Sequence, residues 1–271
     1  MLELFDDYRL AAEFAARSAG KILVDMLETA VSKEKSHKDL VTDADVAAQH
    51  EIYQLLMTQF PDHRFVGEES PPDNEGLVSD QIPERVWCWV VDPIDGTANY
   101  VHRLANFAVS IALVRDGQPY VGIVYDPMAD EMFSAVYMQG AQLNGKAIHA
   151  SGCVEIGQAL IAASFPPNVH RDSIEVEQFI EVLVEAQSVR RLGSAALNLC
   201  YVACGRLDGY WAGKIRSWDI AAGVLIATES GACLTSRDGS PFMLCKGDLT
   251  VAASISLHRQ LLTCLNVPRS R

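Results

Sequence analysis

The segment Trp89-Val90-Val91-Asp92-Pro93-Ile94-Asp95-Gly96-Thr97 places two carboxylates at the end of a short apolar run. Hard oxygen donors pinned on a turn suit Mg²⁺, which takes carboxylates, carbonyls and water. The Ile94 carbonyl lies between the two acids and is a further candidate ligand. Gly96 permits a tight turn, and Thr97 brings a hydroxyl. Residues after Gly96 are placed to open a helix, whose free N–H groups bind phosphate. An acidic Asp-Pro turn capping a helix explains D-P-x-D taken alone. The strand before it and the Gly-Thr after it favour the metal reading.

Three further acidic groups invite the same question. Gly67-Glu68-Glu69-Ser70 follows His63 to Val66, a predicted strand. Adjacent glutamates at a strand end point to opposite sides, so one can ligate a metal while the other supports it. Taken alone, they read equally as two solvated acids. In Leu40-Val41-Thr42-Asp43-Ala44-Asp45, Asp45 falls in the first turn of a predicted helix. There a carboxylate complements the helix dipole, and capping alone accounts for it. Asp219 is the only acid in the apolar stretch Ile215 to Thr228. A buried carboxylate needs a partner, which is either a metal or the helix N-terminus it caps.

These groups require elements to hold them. Val86 to Val91 is continuously apolar, the mark of a strand buried on both faces, and Pro93 is expected to end it. Phe107 to Val114 and Tyr120 to Tyr125 flank Asp116-Gly117, a hairpin signal, and Glu131 to Tyr137 predicts another strand. A first helix shows a face of Leu10, Ala11, Phe14, Ala15, Ser18, Ala19, Ile22, Leu23 and Met26. Polar Val31 to Leu40 reads as a flexible loop or hairpin, and a second helix runs from near Thr42 to Phe60 before Pro61. Ser70 to Arg85 reads as a surface loop. Later come strands at Ala159 to Ala163, Gly209 to Trp211, Ala232 to Thr235 and Leu249 to Ala253. Helices are expected at Ile174 to Ala186, Ser194 to Cys204, Trp218 to Glu229 and the C-terminus. The class is mixed α/β, with a break near Ala150 to Gln158. Residues 1–150 then form an α+β half with most candidate ligands, and residues 151–271 an α/β half that completes the substrate site, in one structural unit.

Composition narrows the partners. The chain has 271 residues, 49% of them hydrophobic, enough for a large core. Lys plus Arg is 22 against 35 Asp plus Glu, a net charge of -13 that repels a nucleic-acid backbone. No apolar run is long enough to span a membrane, and Glu3, Asp6, Asp7 and Glu13 argue against a secretory signal. The seven cysteines are odd in number and lack a C-x-x-C, as expected of buried thiols in a reducing cytoplasm. Cys200 and Cys204 share a helix face, but two thiolates alone make no zinc site. The seven histidines are scattered, no Ser–His–Asp or Cys–His set is evident, and His102 reads as structural.

Taken in order, DLVTDAD, GEES, WVVDPIDGTANYVH and WDIAAG resemble the signatures of the inositol monophosphatase family, Mg²⁺-dependent and lithium-sensitive sugar phosphatases. The likeness runs from about Tyr8 to Leu265, and DPIDGTxNxVH is its specific element. It implies a layered αβαβα sandwich, usually a homodimer. It also implies that Glu68, Asp92 and the Ile94 carbonyl hold one Mg²⁺, and that Asp92, Asp95 and Asp219 hold a second, with Asp92 bridging. A third, looser ion falls near Glu68 and Glu69. Asp45 and Thr97 resemble the pair that orients and deprotonates the attacking water. Gly96 and Thr97 correspond to backbone donors for the phosphate, and Gly193, Ser194 and Ala195 to the segment touching the alcohol. The loop with Lys33, Lys35 and Lys38 corresponds to a mobile lid.

One position departs. Inositol phosphatases of the family carry a Glu seven residues before the WD aspartate, and here it is Ala212. Arg216 stands where related members carry His, Lys or Arg, and faces either a substrate group or solvent. The expectation is Mg²⁺-dependent hydrolysis of a small polyol or sugar phosphate, inositol monophosphate by default. Histidinol-phosphate, fructose-1,6-bisphosphate and nucleotide 3′-phosphate phosphatases on the same scaffold are the alternatives. A catalytically idle metal- or metabolite-binding protein is the alternative of another class.

Overall fold

The computed structural model describes residues 2–36, 39–69, 82–166 and 168–266, the side chains of 2–4, 35, 36 and 39 excepted. The chain runs α1 (Leu2–Met26), β1 (Ser32–Ser36), β2 (Asp39–Thr42), α2 (Asp43–Gln59), β3 (Arg64–Gly67), β4 (Cys88–Asp95) and α3 (Thr97–Val101). Next come β5 (Ala108–Arg115), β6 (Gln118–Asp126), β7 (Glu131–Val136), β8 (Ala141–Leu143), β9 (Lys146–Ile148) and β10 (Leu160–Ser164). Then follow α4 (Ile174–Glu185), β11 (Ser188–Arg190), α5 (Ala195–Ala203), β12 (Gly209–Ala212), α6 (Ser217–Glu229), β13 (Cys233–Thr235), β14 (Leu249–Ala252) and α7 (Ile255–Leu265).

β3 to β9 pair in chain order as a seven-stranded sheet, antiparallel except for β3 beside β4. The second sheet has five strands in the order β11-β10-β12-β14-β13, the first three of them parallel. α1 and α2 cover one face of the first sheet, α5 and α6 lie between the sheets, and α4 and α7 cover the far side. The result is the expected five-layer sandwich. Three apolar clusters fill the spaces, the largest around α5 and α6.

Most expected elements are present, with boundaries within a few residues. The Asp116-Gly117 turn joins β5 to β6 with both residues at positive φ (52° and 76°), as a two-residue hairpin requires. The described part of residues 31–40 takes the hairpin alternative, β1 pairing with β2. Ser70 to Gln81 of the expected surface loop, and Lys38, lie outside the described residues.

Two expectations need correction. The buried face of α1 is Tyr8, Ala12, Ala15, Ala16, Ala19 and Leu23, whereas Leu10 and Phe14 stand 54% and 64% exposed. Small residues let the helix sit close to β6: a Cβ at Gly20 would come within 2.6 Å of the Tyr125 ring. The helical period is the expected one, and its phase is shifted. Secondly, Pro93 does not end β4. Pairing to β5 passes from Asp92–Ser110 to Asp95–Ala108 across an irregularity that absorbs Pro93 and Ile94. The bulge keeps Pro93, which has no N–H, out of the hydrogen-bond ladder and re-aims the chain. It also sets both aspartates on one buried strand end.

Candidate metal and phosphate site

Asp92, Asp95 and Asp219 each offer an oxygen within 4.8 Å of the others. Asp92 and Asp95 are buried at the end of β4, and Asp219 is half-buried in the first turn of α6. Asp92 Oδ1 accepts from the Ile94 N–H at 2.9 Å, closing a small turn over Pro93. Asp219 Oδ2 accepts from the Arg216 N–H at 3.2 Å, so the capping reading of Asp219 holds geometrically alongside its place in the acid cluster. Glu68 joins them from the end of β3, close enough for its charge to raise the Asp92 carboxyl.

Such crowding disfavours charge. Burial first, then Glu68, Asp219 and Asp95, hold the Asp92 carboxyl well above its ordinary range. Asp219 is likewise raised, by burial and then by Asp95 and Glu68. Burial raises Asp95 to about 6 against the opposing hydrogen bonds of Ser194 and Ala196. A cluster of oxygens that holds protons for want of positive charge is what a divalent cation would neutralise. The donor set is all hard oxygen and fits Mg²⁺.

Asp45 sits one layer behind, fully buried at the third residue of α2. Its Oδ2 accepts from the Thr42 N–H at 2.7 Å and the Thr42 hydroxyl at 2.6 Å, completing the expected capping box. Its Oδ1 is buried with no hydrogen-bond partner among the described residues. Burial raises this carboxyl to about 7, with Glu68 and Glu69 adding to the shift. An orphaned, proton-avid oxygen beside the acid cluster is suited to take a proton from water.

The turn after Asp95 and the start of α5 are tied together. Gly96 has φ 101°, and α3 is a single five-residue turn that opens with Thr97. The Thr97 hydroxyl donates to the Ile94 carbonyl at 3.0 Å, so two residues expected at the site touch. Asp95 Oδ2 accepts from the Ser194 hydroxyl and, at 2.7 Å, from the Ala196 N–H. Ser194 and the Ala195-Ala196 backbone thereby meet Asp95, whereas Gly193 faces Asn99. Asn99 adds a second tie, its Nδ2 donating to Leu192 O at 2.8 Å and to Asn106 O at 2.7 Å. Gly193 (φ 97°) leaves room for that amide, since a Cβ there would lie 2.7 Å from Nδ2.

Other expected residues are less engaged. Arg216 is exposed, its guanidinium carbon 5.9 Å from the centre of the Trp218 ring. Ala212 is fully buried at the end of β12, within the central cluster, and is paired with Ser164 and Leu249. Lys33 is exposed on β1, and the Lys35 side chain lies outside the described residues. A cavity of about 1130 Å³ lies between α6 and the Phe242 to Cys245 segment, and no site carboxylate lines it. Two amides are not singled out by the sequence: Asn99, and Gln49, whose Oε1 accepts from the Glu69 N–H at 2.9 Å. Asn99 lies inside the DGTAN run, but its partners are 93 and 7 residues away and leave no local signal.

Comparison with known proteins follows this geometry. Residues 6–267 match the profile of the Inositol monophosphatase family. The chain is similar to Inositol monophosphatase 2 of Solanum lycopersicum, 39% identical over 236 residues covering 85% of this chain and 87% of that one. It is equally similar to Nus factor SuhB of Salmonella typhimurium strain LT2, 38% identical over 239 residues covering 87% of each. The solved structure of inositol monophosphatase from Anabaena (Nostoc) sp. PCC 7120 superposes with a TM-score of 0.82 at 34% identity, covering 97% of both chains.

Proposed function

Because the chain belongs to the inositol monophosphatase family, we propose that it hydrolyses a small polyol or sugar phosphate monoester by direct attack of water, with Mg²⁺ as resident ion. The observation that carries this reading is the trio Asp92, Asp95 and Asp219, oxygens within 4.8 Å on two elements from different halves of the chain. Those three, with Glu68 and the Ile94 carbonyl, would hold the metal, and Glu69 would support a looser ion beside Glu68. Bound there, Mg²⁺ supplies positive charge for the phosphate, activation of water and stabilisation of the leaving oxygen.

The chain's own groups divide the remaining work. The free Asp45 oxygen accepts the proton of the attacking water while Thr42 holds its other oxygen. The Thr97 hydroxyl, bonded to Ile94 O, fixes that water's direction. Backbone N–H groups of Gly96 and Thr97 meet the phosphate, and Gly193, Ser194 and Ala195 meet the alcohol. Arg216, at the rim, contacts the alcohol's substituents. The halves 1–150 and 151–271 close over the substrate as one unit.

Inositol monophosphate is the default substrate, held weakly because Ala212 offers no acceptor. Histidinol-phosphate, fructose-1,6-bisphosphate and nucleotide 3′-phosphate remain competing substrates. Li⁺ is expected to inhibit at the Asp92, Asp95 and Asp219 position. No described helix is long and apolar enough to cross a membrane, and all seven cysteines are free, which supports a reducing cytoplasm. A homodimer is the expected assembly.

Relatives called Nus factor supply a second reading, in which this chain serves as such a factor with or without turnover. The net charge of -13 opposes direct nucleic-acid contact, and the complete set of acids favours catalysis. Phosphate release from a panel of monoesters, with and without Mg²⁺, decides between them. Mg²⁺-dependent release from at least one polyol or sugar phosphate supports the enzyme; none from any ester leaves the non-catalytic reading.

A further inference from the structure

β3 pairs with β4 only as far as Gly67 opposite Val91, and the Glu68 N–H makes the last contact, to Val91 O at 3.1 Å. Glu69 lies beyond that ladder. Both of its backbone groups are instead taken by one side chain. Gln49 Oε1 accepts from the Glu69 N–H at 2.9 Å, and Gln49 Nε2 donates to the Glu69 carbonyl. A carboxamide alone among the long side chains offers an acceptor and a donor on one planar head, so it can imitate a neighbouring strand.

The setting supports this use. Gln49 lies one helical turn after Asp45 on the same buried face of α2, and is only 5% exposed. Holding a five-atom polar side chain there costs free energy unless its amide is satisfied, and Glu69 satisfies both ends. The space exists because position 67 is glycine: a Cβ there would lie 2.2 Å from Gln49 Oε1. Gly67 is not at positive φ, so room for the amide, rather than backbone freedom, makes glycine necessary.

We propose that Gln49 is a positioning residue for the metal: its amide clamps the Glu69 backbone and so fixes the Glu68 carboxylate against Asp92. The inference rests on the reading of Glu68 as a metal ligand given above. With the strand pairing on one side of Glu68 and the amide clamp on the other, its backbone has little freedom to swing. α2 then carries both the base, Asp45, and the residue that orients a ligand. Loss of the clamp leaves every ligand in place but lets Glu68 sample other directions. Outer partners of this kind are worth about 10–100-fold in metal affinity.

Calorimetric titration of metal-free protein with Mg²⁺, without substrate, tests this. Gln49→Met keeps volume and removes both hydrogen bonds, and is expected to weaken Mg²⁺ binding by about tenfold. Gly67→Ala is expected to evict the amide and weaken binding comparably, and it serves if Gln49→Met does not fold. The double variant Gly67→Ala/Gln49→Ala relieves the clash without restoring the bonds, so its binding should stay weak. Wild-type affinity in folded Gln49→Met, or its recovery in the double variant, would show Gln49 to be mere packing and overturn the inference. A wild-type protein that titrates no Mg²⁺ at millimolar concentration overturns the metal reading itself, and this inference with it.

Discussion

Asp45 shows how one side chain can answer two demands, since its oxygens face different surroundings. Thr42 takes one, and the other is buried and unpaired. The cap was legible as T-x-x-D, because it is local. The orphaned oxygen was not, because the strands packed on α2, β3 and β4, come from farther along the chain. Asn at this position can still accept the Thr42 bonds but cannot take a proton. Asp45→Asn is therefore expected to melt within a few degrees of wild type and to lose about 10²–10⁴-fold in kcat, the usual worth of a general base. Steady-state rates at saturating Mg²⁺ check this, and a loss below tenfold would remove Asp45 from the chemistry. Ala212 is the opposite case, a residue noticed for what it lacks. Its burial in the central cluster means that glutamate there crowds a packed interior, at about 1–3 kcal/mol. Ala212→Glu should accordingly lower the melting temperature. It should also lower KM for inositol monophosphate, since a charge-assisted bond to a hydroxyl contributes about 1.5–3 kcal/mol. KM for glycerol 2-phosphate should change little. Equal effects on both esters would mean that position 212 does not meet the alcohol.

At the scale of elements, the site is a meeting of ends: those of β3 and β4, and the starts of α2, α3, α5 and α6. The sequence announced most of these ends through their polar residues, because caps and turns have local chemistry. The bulge at Pro93 was misread as a stop. A proline is compatible with a strand wherever its missing N–H falls outside the ladder, and only the β5 partner decides that. The phase of α1 differs for a similar reason, since only the partner sheet decides that a seam of small residues, which lets the helix approach β6 closely, is the face turned inward. Ties between ends were beyond reach. Asn99 joins α3 to the Leu192-Gly193 segment across 93 residues, and Asp95 reaches Ser194 and the α5 N-terminus across 99. Asn99→Ala removes a tie without touching the acids. KM for inositol monophosphate should rise about tenfold, the equivalent of one lost buried hydrogen bond pair, with the Mg²⁺ requirement unchanged. A parallel rise in the Mg²⁺ needed for half-maximal rate would show that Asn99 supports the metal strip instead.

For the whole molecule, stability and catalysis draw on the same acids. In metal-free protein the native state holds protons on Asp45 (about 7) and Asp95 (about 6), and Asp92 and Asp219 are raised too. Unfolded, each titrates near 3.8, so the native state binds more protons between that value and its own pKa. Stability must then fall as pH rises through this window, by about 1.4 kcal/mol per pH unit for each such proton. His63 and His258, buried and lowered below 6.5, act in the other direction, but only below pH 6.5. From pH 6.5 to 7.5 the carboxylates act alone, and the chelated protein should lose melting temperature. Millimolar Mg²⁺ should abolish that slope and raise the midpoint. Thermal melts in chelator and in Mg²⁺ check it; coincident curves would mean no acidic metal site. The most direct measurement of the central claim is phosphate release by wild type and Asp92→Asn across a Mg²⁺ titration of chelated protein. Asp92 lies among Glu68, Asp95 and Asp219. Wild type should be inactive without Mg²⁺ and active with it, and folded Asp92→Asn should stay nearly inactive at every concentration. Turnover in chelator, or near-normal turnover by Asp92→Asn, would contradict the account.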